Sequence, residues 1–374
     1  MRIDRIEIHR VAMPLIYPFR TAFGNDQTIE SVLVKIQSGP FVGWGEAAPW
    51  RDPAFGPEWA AGVFLLLKER LAPLLVGREI ESGDELQSAL RSVKGNHFAK
   101  AALDLAWWDL FARGRGEPLW KVLGGRGPTV DVGADFGIME SIDTLIETIA
   151  DALRAGFKRV KLKYRPGWEL DVLTAVRSRF PDATFHVDCN SAYTLDDLAM
   201  LRRLDEFGLA MIEQPLAHDD LFDHATLQRE IRTPICLDES IVSEDKMRKA
   251  IALKSCGRVN IKLGRVGGIT NALKILRLCS QAGMPCWVGS MLESAVGMSH
   301  NIALATLDNI RYPSDIFPTS RFYREDLAKP EIILSGPSQV TAQPGAGIGV
   351  DPDPRQLDKL TVERTECCRS SAAR

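Results

Sequence analysis

The chain has 374 residues, 45% of them apolar, and a formal net charge of −3 with no long run of either sign. That length suits two domains or one barrel with an attachment, and the near balance of charge offers no footing for nucleic acid or an anionic membrane. No stretch approaches the length of a transmembrane helix, and seven cysteines, odd in number and without metal-like pairing, suit reduced thiols in a cytoplasm.

The opening MRIDRIEIHRVAMPL alternates like a strand rather than a signal peptide. Residues 3–11 and 31–36 predict antiparallel strands, with GWGEAAPW as an irregular turn after the second. Helical patterns follow over 56–75 and 96–113. The second is apolar around much of its circumference (Ala101, Leu103, Leu105, Trp107, Leu110), which predicts burial on most sides between two domains. The glycine-rich LGGRGP at 123–128 marks the boundary. A capping domain is thus expected over 1–126, completed by about 325–353, and a barrel over 127–324.

From residue 129 the rhythm becomes βα. Strands are predicted over 130–137, 159–164 and 184–188, then ending at Glu213, Asp238 and Lys262, then over 285–289, with a short eighth near 311–316. Ser141, Thr194, Ser243 and Thr270 are the expected helix N-caps. No clear eighth helix follows, and the region is shorter than the roughly 250 residues of a full eightfold barrel. The expected fold is α/β: a modified (β/α)7β TIM-like barrel with an α+β cap. The polar end, 354–374 with Cys367 and Cys368, reads as a disordered tail.

Five charges form a ladder across this region: Lys163, Asp188, Glu213, Asp238 and Lys262, at spacings of 25, 25, 25 and 24. About 25 residues is one strand, loop, helix and return loop, so each charge falls at the same end of a successive parallel strand. Working residues of parallel barrels sit at those C-terminal ends. Three carboxylates without histidine form a hard oxygen set suited to Mg²⁺, with Mn²⁺ as a substitute. A single acid at a strand end is commonly a helix cap or loop ion pair, and Asp238 precedes the ordinary capping residues Glu239 and Ser240. Three in register, flanked by lysines in register, argue for a site. In VKLK, Lys161 shares a face with Lys163, and the two ammonium groups, with a nearby divalent cation, are expected to lower the Lys163 pKa toward that of a base. Lys262, four strands on, faces Lys163 across the mouth. A metal holding a carboxylate between two bases describes enolate chemistry.

Other motifs are weaker. GRVGG at 264–268 offers a phosphate cradle in its backbone N–H groups, though without P-loop spacing. Cys189 is expected to point away from the mouth as a core thiol, and His186 to lie one layer beneath Asp188.

The set KLK, DCN, EQP, DES and IKLGRVGG, in this order and spacing, resembles the enolase superfamily in its muconate-lactonising branch, and AALDLAWWDL with GEPLW and LGG resembles the family's cap. Lysine bases beside Mg²⁺ are a known pattern of that superfamily. DCNSAYTL, IEQPLAHDDL, TPICLDES, RVGG and GSMLES are most similar to o-succinylbenzoate synthases and N-succinylamino acid racemases. The resemblance implies Asp188, Glu213 and Asp238 as Mg²⁺ ligands, Lys163 and Lys262 as catalytic lysines, and Lys161, Asn190 and Glu239 in support. It implies a lid at FRTAFG (19–24) bringing Thr21 and Phe23 to the substrate, and a strand-seven loop (Ser290, Met291, Leu292, Glu293) lining the acyl pocket. Two departures, a serine at the second position of GSMLES and Arg20 in FRTAFG, touch substrate preference rather than chemistry. The activity implied is abstraction of a proton α to a carboxylate through an enediolate: dehydration to o-succinylbenzoate for menaquinone biosynthesis, with N-acylamino acid racemisation and cycloisomerisation as alternatives. A non-catalytic binding barrel would predict erosion of a ligand or base, and none is eroded. The expected partner is a small carboxylate substrate, with no nucleic acid and no membrane, and a homo-oligomer is expected.

Overall fold

The structure, a computed structural model, describes residues 1–20, 25–137, 139–164, 166–167 and 169–368. Its first unit is an antiparallel sheet of β1 (Arg5–Arg20), β2 (Asn25–Ser38) and β3 (Phe41–Ala47). GWGEA, residues 43–47, therefore lies in a strand, not in the turn expected of it, and only APW beyond it is irregular. The glycines that suggested a turn serve close packing instead. Helix His97–Arg115 lies against β3 so tightly that a Cβ on Gly43 would sit 2.3 Å from the Ala106 carbonyl oxygen, and one on Gly45 2.3 Å from that of Ala102. The all-round apolar helix is buried between the two units as its composition predicts, with Ala102, Leu103, Ala106 and Leu110 inaccessible to solvent.

The tail expectation needs correction. Helix Pro354–Leu360 leads into a strand, Thr361–Cys368, that pairs antiparallel with the open edge of β1. Its alternating side chains face solvent, which is why composition suggested disorder. Arg5–Glu366 and Arg10–Glu363 pairs tie it down from the far end of the chain. Residues 369–374 lie outside the described set.

The second unit follows β4 (Thr129–Asp131) with seven parallel strands: β5 (Ala134–Phe136), β6 (Val160–Lys163), β7 (Phe185–Asp188), β8 (Ile212–Glu213), β9 (Ile235–Leu237), β10 (Arg258–Ile261) and β11 (Cys286–Val288). They run in sequential order through one curled sheet, a modified (β/α)7β barrel. The predicted first strand is split, because β4 leaves the barrel to pair with Gln339–Thr341. The eighth position is filled by residues 310–315, which bond as a bridge rather than a full strand. Arg311 and Asp315 donate to Cys286 and Val288 on one side, while Ser314 exchanges bonds with Asp131 and Gly133 on the other.

Capping follows the sequence at Ser141, Thr194 and Ser243, whose hydroxyls accept from their own helix N-termini. Thr270 differs: Gly268 occupies the N-cap of helix Ile269–Gln281, and the Thr270 amide donates to Asp104 from the capping unit. In the same way Glu46 on β3 accepts from the Ser294 amide and hydroxyl and the Gly297 amide, at the start of helix Ala295–Ala305. An anion at a helix N-terminus is favourable. Two helices of the barrel are thus capped by the other unit.

Candidate active site

Consecutive strands bring the ladder together. Asp188 and Glu213 are direct neighbours across β7 and β8, and Lys163 pairs with Asp188 across β6 and β7. Asp238 and Lys262 lie one residue beyond β9 and β10. All three carboxylates are buried. Lys163 and Lys262, four strands apart in the ring, line one cavity that Trp50 and Phe55 border from the capping unit.

The carboxylates are held by cations. Lys161 Nζ lies 2.9 Å from Asp188, 3.0 Å from Glu213 and 3.1 Å from Asp315. Lys163 donates to Asp188 at 2.7 Å and to Asn190 at 2.9 Å. Lys262 lies 3.0 Å from Asp238, whose other oxygen pairs with Arg265. Asn260 donates to Glu213 at 2.7 Å, and Asn190 joins Glu239 at 3.1 Å. Beneath them His186 is fully buried against the Tyr312 hydroxyl, one layer down as expected.

Charge state follows from these contacts. Burial, the largest influence, lowers the Lys163 pKa and Lys161 adds to it, but the Asp188 and Asp135 carboxylates and the Asp188 hydrogen bond together outweigh them, and the net shift is upward. A divalent cation on Asp188, part of the same expectation, would act in the opposite direction. Burial and the Asp188 and Asp238 carboxylates push Glu213 up to about 8 despite Lys161. Burial and Asp238 push Glu239 up to about 7.

Among the described residues, no three acidic, thiol or imidazole side chains converge as a ready metal cage. The donor set nevertheless fits a hard divalent cation. Glu213 Oε2 and Asp238 Oδ2 are buried oxygens held by the Lys161 and Lys262 ammonium groups at 3.0 Å, a place a divalent cation would take, and every donor is oxygen.

Other expectations meet mixed outcomes. Ser290, Met291 and Leu292 line the cavity. Glu293 does not: its carboxylate accepts from the Met291 amide at 2.7 Å and braces the loop. Leu292 is held at φ 62°, a conformation costly for a branched residue, by Tyr323 bonding its carbonyl and by Trp50 bonding that of Met291. Thr21 and Phe23 lie outside the described residues, while Phe19 beside them lines the cavity. The phosphate cradle is not formed, since the amides of Val266, Gly267 and Gly268 bond to Lys262, Gly264 and Leu263 carbonyls. Cys189 is buried in the core. Sequence reasoning missed Asp135, Asn260, Arg265 and Asp315. The one available signal was periodicity: Asp135 stands two strand positions before Gly137 in the first predicted strand, and Asn260 two before Lys262, as Lys161 stands before Lys163.

Residues 4–124 match the mandelate racemase/muconate lactonizing enzyme N-terminal domain, and residues 144–355 the enolase C-terminal domain-like model. The chain is a member of the enolase superfamily. It is 44% identical to an o-succinylbenzoate synthase of Geobacillus kaustophilus over 96% of both chains, and 43% identical to an N-succinylamino acid racemase of Thermus thermophilus over 94% of this chain and 95% of that one. A solved enolase-superfamily structure from Listeria innocua superposes with a TM-score of 0.95 at 35% identity, covering 98% and 99% of the two chains. Within the superfamily the chain therefore belongs to the o-succinylbenzoate synthase and N-succinylamino acid racemase family, and it is an enzyme of the lyase or racemase kind. Among the described residues no helix is long and apolar enough to cross a membrane.

Proposed function

We propose that this enzyme removes a proton α to a carboxylate with the help of Mg²⁺ held by Asp188, Glu213 and Asp238, and that its reaction is the dehydration forming o-succinylbenzoate. The observation that carries the reading is the pair Lys163 and Lys262 on opposite sides of one cavity, beside three buried carboxylates on consecutive strands. Bound there, Mg²⁺ would draw charge from the substrate carboxylate and so acidify its α-carbon. Lys163 takes the α-proton from one face and returns it to the departing hydroxyl, so that a C–H and a C–O bond break and water leaves. The Lys262 ammonium stabilises the enolate from the other face. Asn190 and Glu239 hold Lys163 and Asp188 in place. The aromatic wall of Phe19, Trp50 and Phe55 limits water at the reacting carbon.

Racemisation of N-acylamino acids is the second reading, favoured by a lysine on each face of the carbon. The discriminating assay supplies 2-succinyl-6-hydroxy-2,4-cyclohexadiene-1-carboxylate beside a panel of N-succinylamino acids in deuterated water, with Mg²⁺ and with chelator. Dehydration is the expected result. α-Deuterium exchange confined to the amino acid panel would assign the racemase, and turnover untouched by chelator would overturn the metal assignment.

A further inference from the structure

Around the barrel, the candidate metal-binding carboxylates occupy β7 to β9. The opposite arc is formed by β5, β6, the loop after β11 and the bridge at 310–315. Asp135 stands on this arc, on β5, in direct register with Lys161 on β6, and it lines the same cavity as Lys163 and Lys262. Asp315 beside it is ion-paired with Arg159 at 2.6 Å and Lys161 at 3.1 Å. Asp135 is not: its Oδ1 is sealed from solvent with no hydrogen-bond partner. Lys161 already serves Asp188, Glu213 and Asp315, and Lys163 is turned to Asp188 and Asn190. Arg321 bonds the backbone carbonyl of Asp135 rather than its carboxylate. A buried carboxylate oxygen left without a donor is costly and is retained where a ligand supplies one.

We propose that Asp135 is a specificity-determining residue that accepts a hydrogen bond from an N–H on the substrate arm. The site then favours acids whose α-carbon bears an amide over isosteric acids that present only acceptors there. The inference rests on the cavity being the one where the α-proton is removed, and it bears on the amide-bearing substrates of the second reading. An ester oxygen in place of the amide nitrogen would set a lone pair against the Asp135 carboxylate, losing a bond and adding repulsion.

The test compares an N-succinylamino acid with its 2-succinyloxy ester isostere, in wild type, Asp135→Ala and Asp135→Asn. Two readouts are taken: kcat/KM for α-deuterium exchange, and Kd by calorimetry with Mg²⁺ present. Wild type is expected to prefer the amide by about ten- to a hundredfold, the usual worth of a hydrogen bond to a charged group. The preference should collapse toward unity in Asp135→Ala and be intermediate in Asp135→Asn, which keeps an acceptor without its charge. A purely structural role for Asp135 would weaken both ligands alike and leave their ratio unchanged, which would overturn the proposal. Equal wild-type Kd values would also overturn it, whether or not exchange is seen. Exchange on both ligands without preference would sink this inference alone. Absence of exchange and of dehydration on every substrate would sink proton abstraction itself, and the two Kd values would still judge Asp135.

Discussion

Replacing Lys161 with methionine removes the ammonium that lies between three buried carboxylates while nearly conserving volume. Three contacts at 2.9 to 3.1 Å are lost, and three independent breaks would suggest a cost near 10 kcal/mol at about 3–5 kcal/mol each. The structure argues for less. Asp188 keeps Lys163 at 2.7 Å, Glu213 keeps Asn260 at 2.7 Å and Asp315 keeps Arg159 at 2.6 Å, so no carboxylate is stranded outright. The burial cost of Lys161 itself also disappears, and methionine leaves little cavity. The expected loss is therefore that of one broken buried pair, about 3–5 kcal/mol. It should be largest in chelator and shrink as Mg²⁺ is titrated in, since a cation on the same carboxylates replaces the missing charge. Urea denaturation with and without Mg²⁺ measures both quantities. A variant as stable as wild type in chelator, or one whose deficit is indifferent to Mg²⁺, would refute the shared-counterion argument.

Lys163→Ala and Lys262→Ala should each lower turnover by about 10²- to 10⁴-fold, the range of a positioned acid or base, while Mg²⁺ binding by calorimetry persists. Full turnover in either variant would remove that lysine from the chemistry. Burial pushes Glu46 up to about 7 despite its bonds from Ser294. The folded state thus holds this proton more tightly than the unfolded chain. The associated stability is complete below about 4.5 and is lost as pH rises through about 7. Glu46→Gln should flatten that downward slope in urea midpoints measured across the interval, at the cost of a lower plateau, because its hydrogen-bond partners Ser31, Ser294 and Gly297 all donate. Gly45→Ala forces a methyl to 2.3 Å from the Ala102 carbonyl, and should destabilise by more than the usual ~1–3 kcal/mol of overpacking, read as a fall in urea midpoint.

What the sequence disclosed depended on regularity. The ladder was legible because parallel βα units repeat at a near-constant length, so in-register charges appear as an arithmetic series. Asp135, Asn260 and Asp315 escaped because they sit off that series, one layer inward or on an irregular bridge, and their meaning lies in contacts such as Arg159 to Asp315 that span more than 150 residues. GWGEAAPW misled because glycine marks a turn locally but a close approach when a distant helix lies on it. The last strand misled because its pairing partner is at the opposite end of the sequence. The downward expectation for Lys163 weighed Lys161 and a divalent cation and left out the direct pairing with Asp188 at 2.7 Å.

The helix His97–Arg115, pressed into β3 at Gly43 and Gly45, bears on how such proteins diversify. Its carboxylate at Asp104 terminates a barrel helix, Glu46 terminates another, and Trp50 steadies the loop that borders the cavity. The two units therefore share one interior and are not interchangeable parts. A chimera joined at residues 123–128 would exchange helix caps and an interlocked backbone contact together with the cavity wall. New substrate ranges in this architecture are more accessible through changes at the mouth, such as at Asp135, than through the swapping of whole domains.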